Sequence, residues 1–164
     1  MQMKFFIDTF SWKKIDILGE LELFSIEPVY DSLEMCITHA VLTEITHFKL
    51  RSCILEKTQV LPYKDNKVYQ DALVFGFDEA DASIVSHGVD EEDVYIISED
   101  RPLLAFGKGY GIKIIQLIDF MKVLTVLEIV SKKNLYQINR KLRAVKNISK
   151  KRETSIKKWL KENP

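Results

Sequence analysis

The sequence predicts an α/β fold, a mostly parallel sheet covered by helices, and three observations point to it. Runs suited to buried strands alternate with amphipathic, helix-spaced segments along most of the chain. Two of those runs, Phe5-Phe6-Ile7 and Val94-Tyr95-Ile96-Ile97, end directly in acidic sequence, at Asp8 and at Ser98-Glu99-Asp100. The third is composition: 164 residues, 46% hydrophobic and 29% charged, suit one well-buried domain of ordinary size with a short extension.

The first strand covers Phe5 to Thr9. From Ser11 to Phe24, Trp12, Ile15, Leu18 and Leu21 or Leu23 recur at helical spacing with Lys13, Lys14, Asp16 and Glu20 outward. Pro28 breaks that helix, Asp31 or Ser32 restarts a short turn, and Ile37 to Leu50 reads as a second helix. That helix would carry Ile37, Val41, Leu42, Ile45 and Phe48 on one side and hold Glu44 within it. Thr58 to Tyr63 is a short strand stopped by Pro62, and Asn66 to Phe75 a helix through Val68 and Ala72. Asp78 to Gly88 has acids in its first turn and Gly where a helix should end. Val94 to Ile97 is a β-branched strand, followed by a helix over Arg101 to Phe106 in which Pro102 is tolerated near the start. Gly107, Gly109 and Gly111 then turn the chain into a last strand, Ile112 to Ile115. Gly107-Lys108-Gly109-Tyr110-Gly111 follows a helix rather than a strand, so it predicts a turn and not a phosphate loop.

The formal net charge of zero hides a division. From Met121 to Pro164 there are 13 Lys and Arg against Glu128, Glu153 and Glu162, a net +10, which leaves 11 basic and 21 acidic residues before them. An acidic body of residues 1–120 thus carries a basic helical extension of residues 121–164. Cys36 and Cys53 suggest neither a disulfide framework nor a zinc site. His39, His47 and His87 lack the paired spacing of zinc helices, although His47 follows Glu44 by three residues and so lies near it. No basic leader precedes an apolar stretch and no apolar run approaches 18 residues, so the expectation is a cytoplasmic chain without a membrane span.

Ligands in parallel sheets collect beyond the carboxyl ends of the strands, where Asp8 and Asp100 fall. Glu44 and Asp81 reach the same rim if their helices flank it. Four converging carboxylates repel one another, and the usual remedy is a hard divalent cation with oxygen ligands, Mg2+ or Mn2+. Each acid also has a plainer reading. Asp100 and Asp81 suit helix first turns, Glu44 suits an outward helix position, Asp8 suits an exposed turn, and Glu99 and Asp78 read as solvated neighbours, with a supplementary place in the site as the alternative for either.

Ile7-Asp8-Thr9, Val41-Leu42-Thr43-Glu44-Ile45, Ala80-Asp81-Ala82-Ser83-Ile84 and Ile97-Ser98-Glu99-Asp100-Arg101 resemble, in order and spacing, the four acidic motifs of PIN-domain nucleases over residues 3 to 116. The resemblance implies a three-layer α/β/α fold around a central, mostly parallel sheet. It implies a metal-binding, catalytic quartet of Asp8, Glu44, Asp81 and Asp100, with Thr9 and Ser98 at supporting hydroxyl positions. The run Leu124 to Leu160 resembles the helical hairpin of one PIN subgroup, which commonly has Gly-Thr after the last strand where this chain has Gln116-Leu117. The activity implied is hydrolysis of RNA phosphodiesters by a metal-dependent endoribonuclease like the VapC-type toxins of toxin–antitoxin pairs. Such relatives leave a 5′-phosphate and a 3′-hydroxyl, are held inactive by a small antitoxin protein, and commonly form a homodimer. Trp12, Phe24, Tyr30 and Met35 are candidates for the apolar groove such an antitoxin needs, with core packing as the competing reading. A catalytically silent PIN-like module binding RNA or protein is the alternative. Arg140, Lys141, Arg143, Lys150, Lys151 and Arg152 on the basic extension are candidate RNA contacts, with Tyr136 or Trp159 available for stacking.

Overall fold

The computed structural model describes residues 2–51 and 54–164; Cys53 lies outside the described residues. Its sheet is entirely parallel, in the order β3-β2-β1-β4-β5, with β1 (Lys4–Ile7), β2 (Glu34–Thr38), β3 (Gln59–Leu61), β4 (Val94–Ile97) and β5 (Ile114–Ile115). Helices cover both faces, which makes a three-layer α/β/α fold with helices added at the C-terminal end. The alternation of β1's side chains shows why. Phe5 packs against Tyr95 and against Phe120 of α7 (Leu117–Val126), whereas Phe6 stacks on His87 just beyond α5 (Glu79–Val85). A strand buried on both faces reads as an unbroken apolar run, as Phe5-Phe6-Ile7 and Val94-Tyr95-Ile96-Ile97 do.

Strand order reverses beside β1, with β2 and β3 laid out on one side and β4 and β5 on the other. Ile7 registers with Ile97, and the Asp8 amide donates to the Ile97 carbonyl at 3.0 Å. The residues that follow these two strands therefore emerge side by side. Each leads into a helix, α1 (Thr9–Glu20) after β1 and α6 (Arg101–Gly109) after β4.

Several elements depart from the sequence expectation. Glu34–Thr38 is the strand β2, where the sequence suggested a turn and the start of a helix, and α3 spans only His39–Thr46. Ile37 and Val41 are four apart and mimic a helical face, but the helix begins at the Thr38 cap, whose hydroxyl accepts from the Val41 amide. Phe48 consequently lies past the helix and is 43% exposed instead of packed in the core. Asp16, expected outward, is buried because the Arg51 Nε bonds its carboxylate at 2.6 Å. The helix α6 continues through Gly107 to Gly109, and Gly111 makes the turn with a left-handed φ of 70°. Helix α4 (Lys67–Val74) and α5 match their predicted positions, with Asn66 and Asp78 as side-chain caps.

The extension forms α8 (Lys132–Ala144) and α9 (Lys150–Glu162). Leu135, Ile138, Leu142, Ile148 and Ile156 join the same buried core as the sheet. The pair Arg152–Asp119 ties α9 to α7, and Glu153 bridges Arg143 and Lys157. Trp12, Phe24 and Met35 are buried in the core, and Tyr30 is half-buried with its hydroxyl bonded to Thr58. Among the described residues, no helix is long and apolar enough to cross a membrane.

Candidate metal and phosphodiester site

Asp8 closes the first strand and opens the first helix. Its carboxylate accepts the Ser11 amide at 2.7 Å as the α1 cap, and the Ser98 hydroxyl bonds it as well. Asp100 plays the same part across the strand pair. It caps α6 through the Leu103 amide at 3.1 Å, while its own amide donates to the Ser98 hydroxyl oxygen at 3.1 Å. Capping and site roles are compatible here, because an ionised carboxylate has about four acceptor positions and a cap uses one. Ser98, wholly buried, thus stands between the two acids.

Glu44 sits half-buried on α3 and accepts a hydrogen bond from the Thr9 hydroxyl. That bond brings the end of β1 and the middle of α3 to one place. Asp81 lies on α5, whose placement against β2 is fixed by the 2.6 Å hydrogen bond between the Thr38 and Ser83 hydroxyls. The result is a cleft of about 420 Å³ lined by Asp8, Thr9, Phe10, Glu44, His47, Phe48, Asp78, Asp81 and Asp100. All four sequence-predicted acids meet there, from four different elements.

Electrostatics record the convergence. Burial, then the charges of Asp78, Asp8, Asp100 and Glu44, push the Asp81 carboxyl up to about 7. Asp8 is also raised, mainly by burial and partly by Asp100, against the lowering effect of the Ser11 and Ser98 bonds. Glu99 is not a solvated neighbour. It turns inward, accepts the Leu117 amide at 2.8 Å and the Gln116 side chain at 2.9 Å, and is pushed up to about 7, first by burial and also by Asp8 and Asp119. Asp78 lines the cleft while capping α5.

As the side chains stand, no three His, Cys, Asp or Glu among the described residues are gathered tightly enough to hold one ion. The donor set nevertheless fits a hard cation: oxygen ligands only, negative charge in excess, and no facing Lys or Arg among the residues lining the cleft. Asp8, Glu44, Asp81 and Asp100 are the residues that would hold it.

The sequence missed the aromatic rim. Phe10 directly follows Thr9, and Phe48 lies just past the end of α3; both line the cleft. His47 also reaches the cleft. By contrast His87 is buried, stacked on Phe6 at 4.4 Å and bonded through Nε2 to the Pro62 carbonyl at 2.8 Å, and burial lowers its pKa.

No family model matches this sequence, and no curated protein matches it. Among solved structures, the chain is similar to the crystal structure of PAE2754 from Pyrobaculum aerophilum, with a TM-score of 0.52 and 16% identity. The match covers 77% of this chain and 99% of that one. At that identity it establishes the fold alone.

Proposed function

We propose that the protein is a metal-dependent endoribonuclease of the PIN type, hydrolysing RNA phosphodiesters with Mg2+ or Mn2+ held by Asp8, Glu44, Asp81 and Asp100. The observation that carries this reading is the convergence of four acids, from two strand ends and two helices, on one cleft at the point where strand order reverses. Such a concentration of like charge is costly without a counterion, and it adds to burial in raising the Asp81 carboxyl.

A divalent ion bound there supplies a water of lowered pKa as nucleophile and neutralises charge on the scissile phosphate. The chain's own residues do the rest. Ser98 orients Asp8 and Asp100, and the Thr9 hydroxyl fixes the Glu44 carboxylate toward the cleft. The acidic rim repels a polyanion, so a separate basic surface is useful. Arg140, Lys150 and Lys151 stand exposed on the C-terminal helices for that purpose, while Arg143 and Arg152 are engaged in the ion pairs that hold those helices in place. A role as the toxin of a toxin–antitoxin pair, with a small antitoxin protein and a homodimer as partners, is the narrower form of the same proposal.

The test replaces Asp8 with Asn and follows Mn2+-dependent cleavage of RNA by the folded variant. A loss of at least a hundredfold is expected, on the order of what a principal metal ligand supplies. Undiminished turnover contradicts the assignment.

A further inference from the structure

A second recess lies beyond the carboxyl ends of β2 and β3 and shares no lining residue with the acidic cleft. It encloses about 360 Å³, and Tyr63, Tyr69, His39, Thr43 and Glu79 are among the residues that line it. Two helices serve both hollows: α3 gives Thr43 to the recess and Glu44 to the cleft, and α5 gives Glu79 to the recess and Asp81 to the cleft. Tyr63 is 50% exposed, yet it is held in place. Its ring stacks on that of Tyr69 at 4.4 Å and 21°, the Pro62 carbonyl before it accepts from His87 Nε2, and the Lys64 amide after it donates to the Ser86 hydroxyl at 3.0 Å. Glu79, at the start of α5, is exposed and makes no hydrogen bond or ion pair among the described residues. Among the described residues no Lys or Arg lines the recess, so no cation there awaits a phosphate.

We infer that this recess takes a guanine base of the RNA, with Tyr63 stacking on the base and the Glu79 carboxylate accepting from its N1 and N2 donors. The inference rests on the proposed nuclease reading for the place of that base in a substrate, and it adds a sequence preference. A flat, uncharged ligand suits a fixed phenol ring and a site without cations. The acceptor then chooses among the bases. A carboxylate has two oxygens side by side, and guanine presents two adjacent donors on its Watson–Crick edge, whereas adenine and cytosine set an amino group beside an acceptor nitrogen and uracil offers a single N–H. The ridge between the two hollows is one helix wide, about 10–12 Å with its side chains, so a base seated here belongs to a nucleotide close to the one being cut.

The test titrates guanosine, inosine, which lacks the N2 amino group, and adenosine into the chelator-treated protein and follows NMR shifts, a readout that needs no cleavage. Guanosine should bind roughly tenfold more tightly than either of the others. Glu79→Gln should remove that preference, and Tyr63→Ala should weaken guanosine roughly tenfold, with Tyr63→Trp restoring it. A single-stranded RNA carrying one G, or inosine in its place, repeats the comparison by anisotropy in the Asp8→Asn protein and by Mn2+-dependent cleavage near that base in the parent. Both side chains are exposed, so unchanged circular dichroism is expected of each variant. Equal affinity for the three nucleosides overturns the inference, as does a guanosine preference that survives Glu79→Gln. A protein that prefers guanosine yet cuts no RNA overturns the nuclease reading and leaves the recess a guanine site. One that cuts RNA while blind to guanine overturns this inference and leaves the nuclease reading standing.

Discussion

Asp81 is raised to about 7 because burial and four neighbouring acids disfavour its charge, which links its titration to stability. In the unfolded chain this group has its ordinary value of 3.8, so the folded protein holds the proton over a range where the unfolded one has released it. The stabilisation is complete below about pH 4 and is lost as pH rises to about 7. Metal-free Asp81→Asn is therefore expected to melt higher than the parent at pH 8, by roughly 4 °C or more, with the difference vanishing toward pH 4. Thermal melts in a chelator at the two pH values check this. Asp8 and Asp100 were legible as strand ends, whereas Glu44 and Asp81 reached the rim only if their helices flanked it, which the packing of α3 and α5 decides. The inward turn of Glu99 was not legible. Its reason is the Leu117 amide and the Gln116 side chain, both distant in sequence, and only the packed β5–α7 turn presents them.

At the level of elements, α6 meets β5 through a glycine. A Cβ on Gly107 would approach Ile114 Cδ1 to 2.3 Å and Cγ1 to 2.8 Å, so this helix lies closer to the sheet than a side chain allows. Gly107→Ala is expected to destabilise by about 1–2 kcal/mol, the overpacking cost outweighing the helix propensity gained. Chemical denaturation with an unchanged m-value is the check. The glycines were read from sequence as a turn because they punctuate locally, whereas the requirement at Gly107 is tertiary. The same limit explains β2. Its five residues abut α3 without a break, and Thr38 ends the one while capping the other, so apolar spacing runs through the boundary. The strands β1, β3 and β4 were legible because Asp8, Pro62 and the Ser98-Glu99-Asp100 run punctuate their ends.

Taken whole, the molecule separates its charges: an acidic cleft on the α/β body and a basic surface on the terminal helices, whose apolar residues are part of the same core. Truncating the hairpin would expose that core, so charge reversal is the cleaner probe. Lys150→Glu with Lys151→Glu, both exposed, should weaken RNA binding in gel shifts by about tenfold at low salt and leave the melting temperature within about 2 °C. The account as a whole depends on the four acids being a cation site. Titrating Mn2+ into the chelator-treated protein by calorimetry near pH 7.5 measures this directly. Saturable binding that releases protons from the raised carboxyls, and that Asp8→Asn abolishes, is the predicted result. Heat no greater than dilution in the parent protein, or binding unchanged by Asp8→Asn, would contradict it.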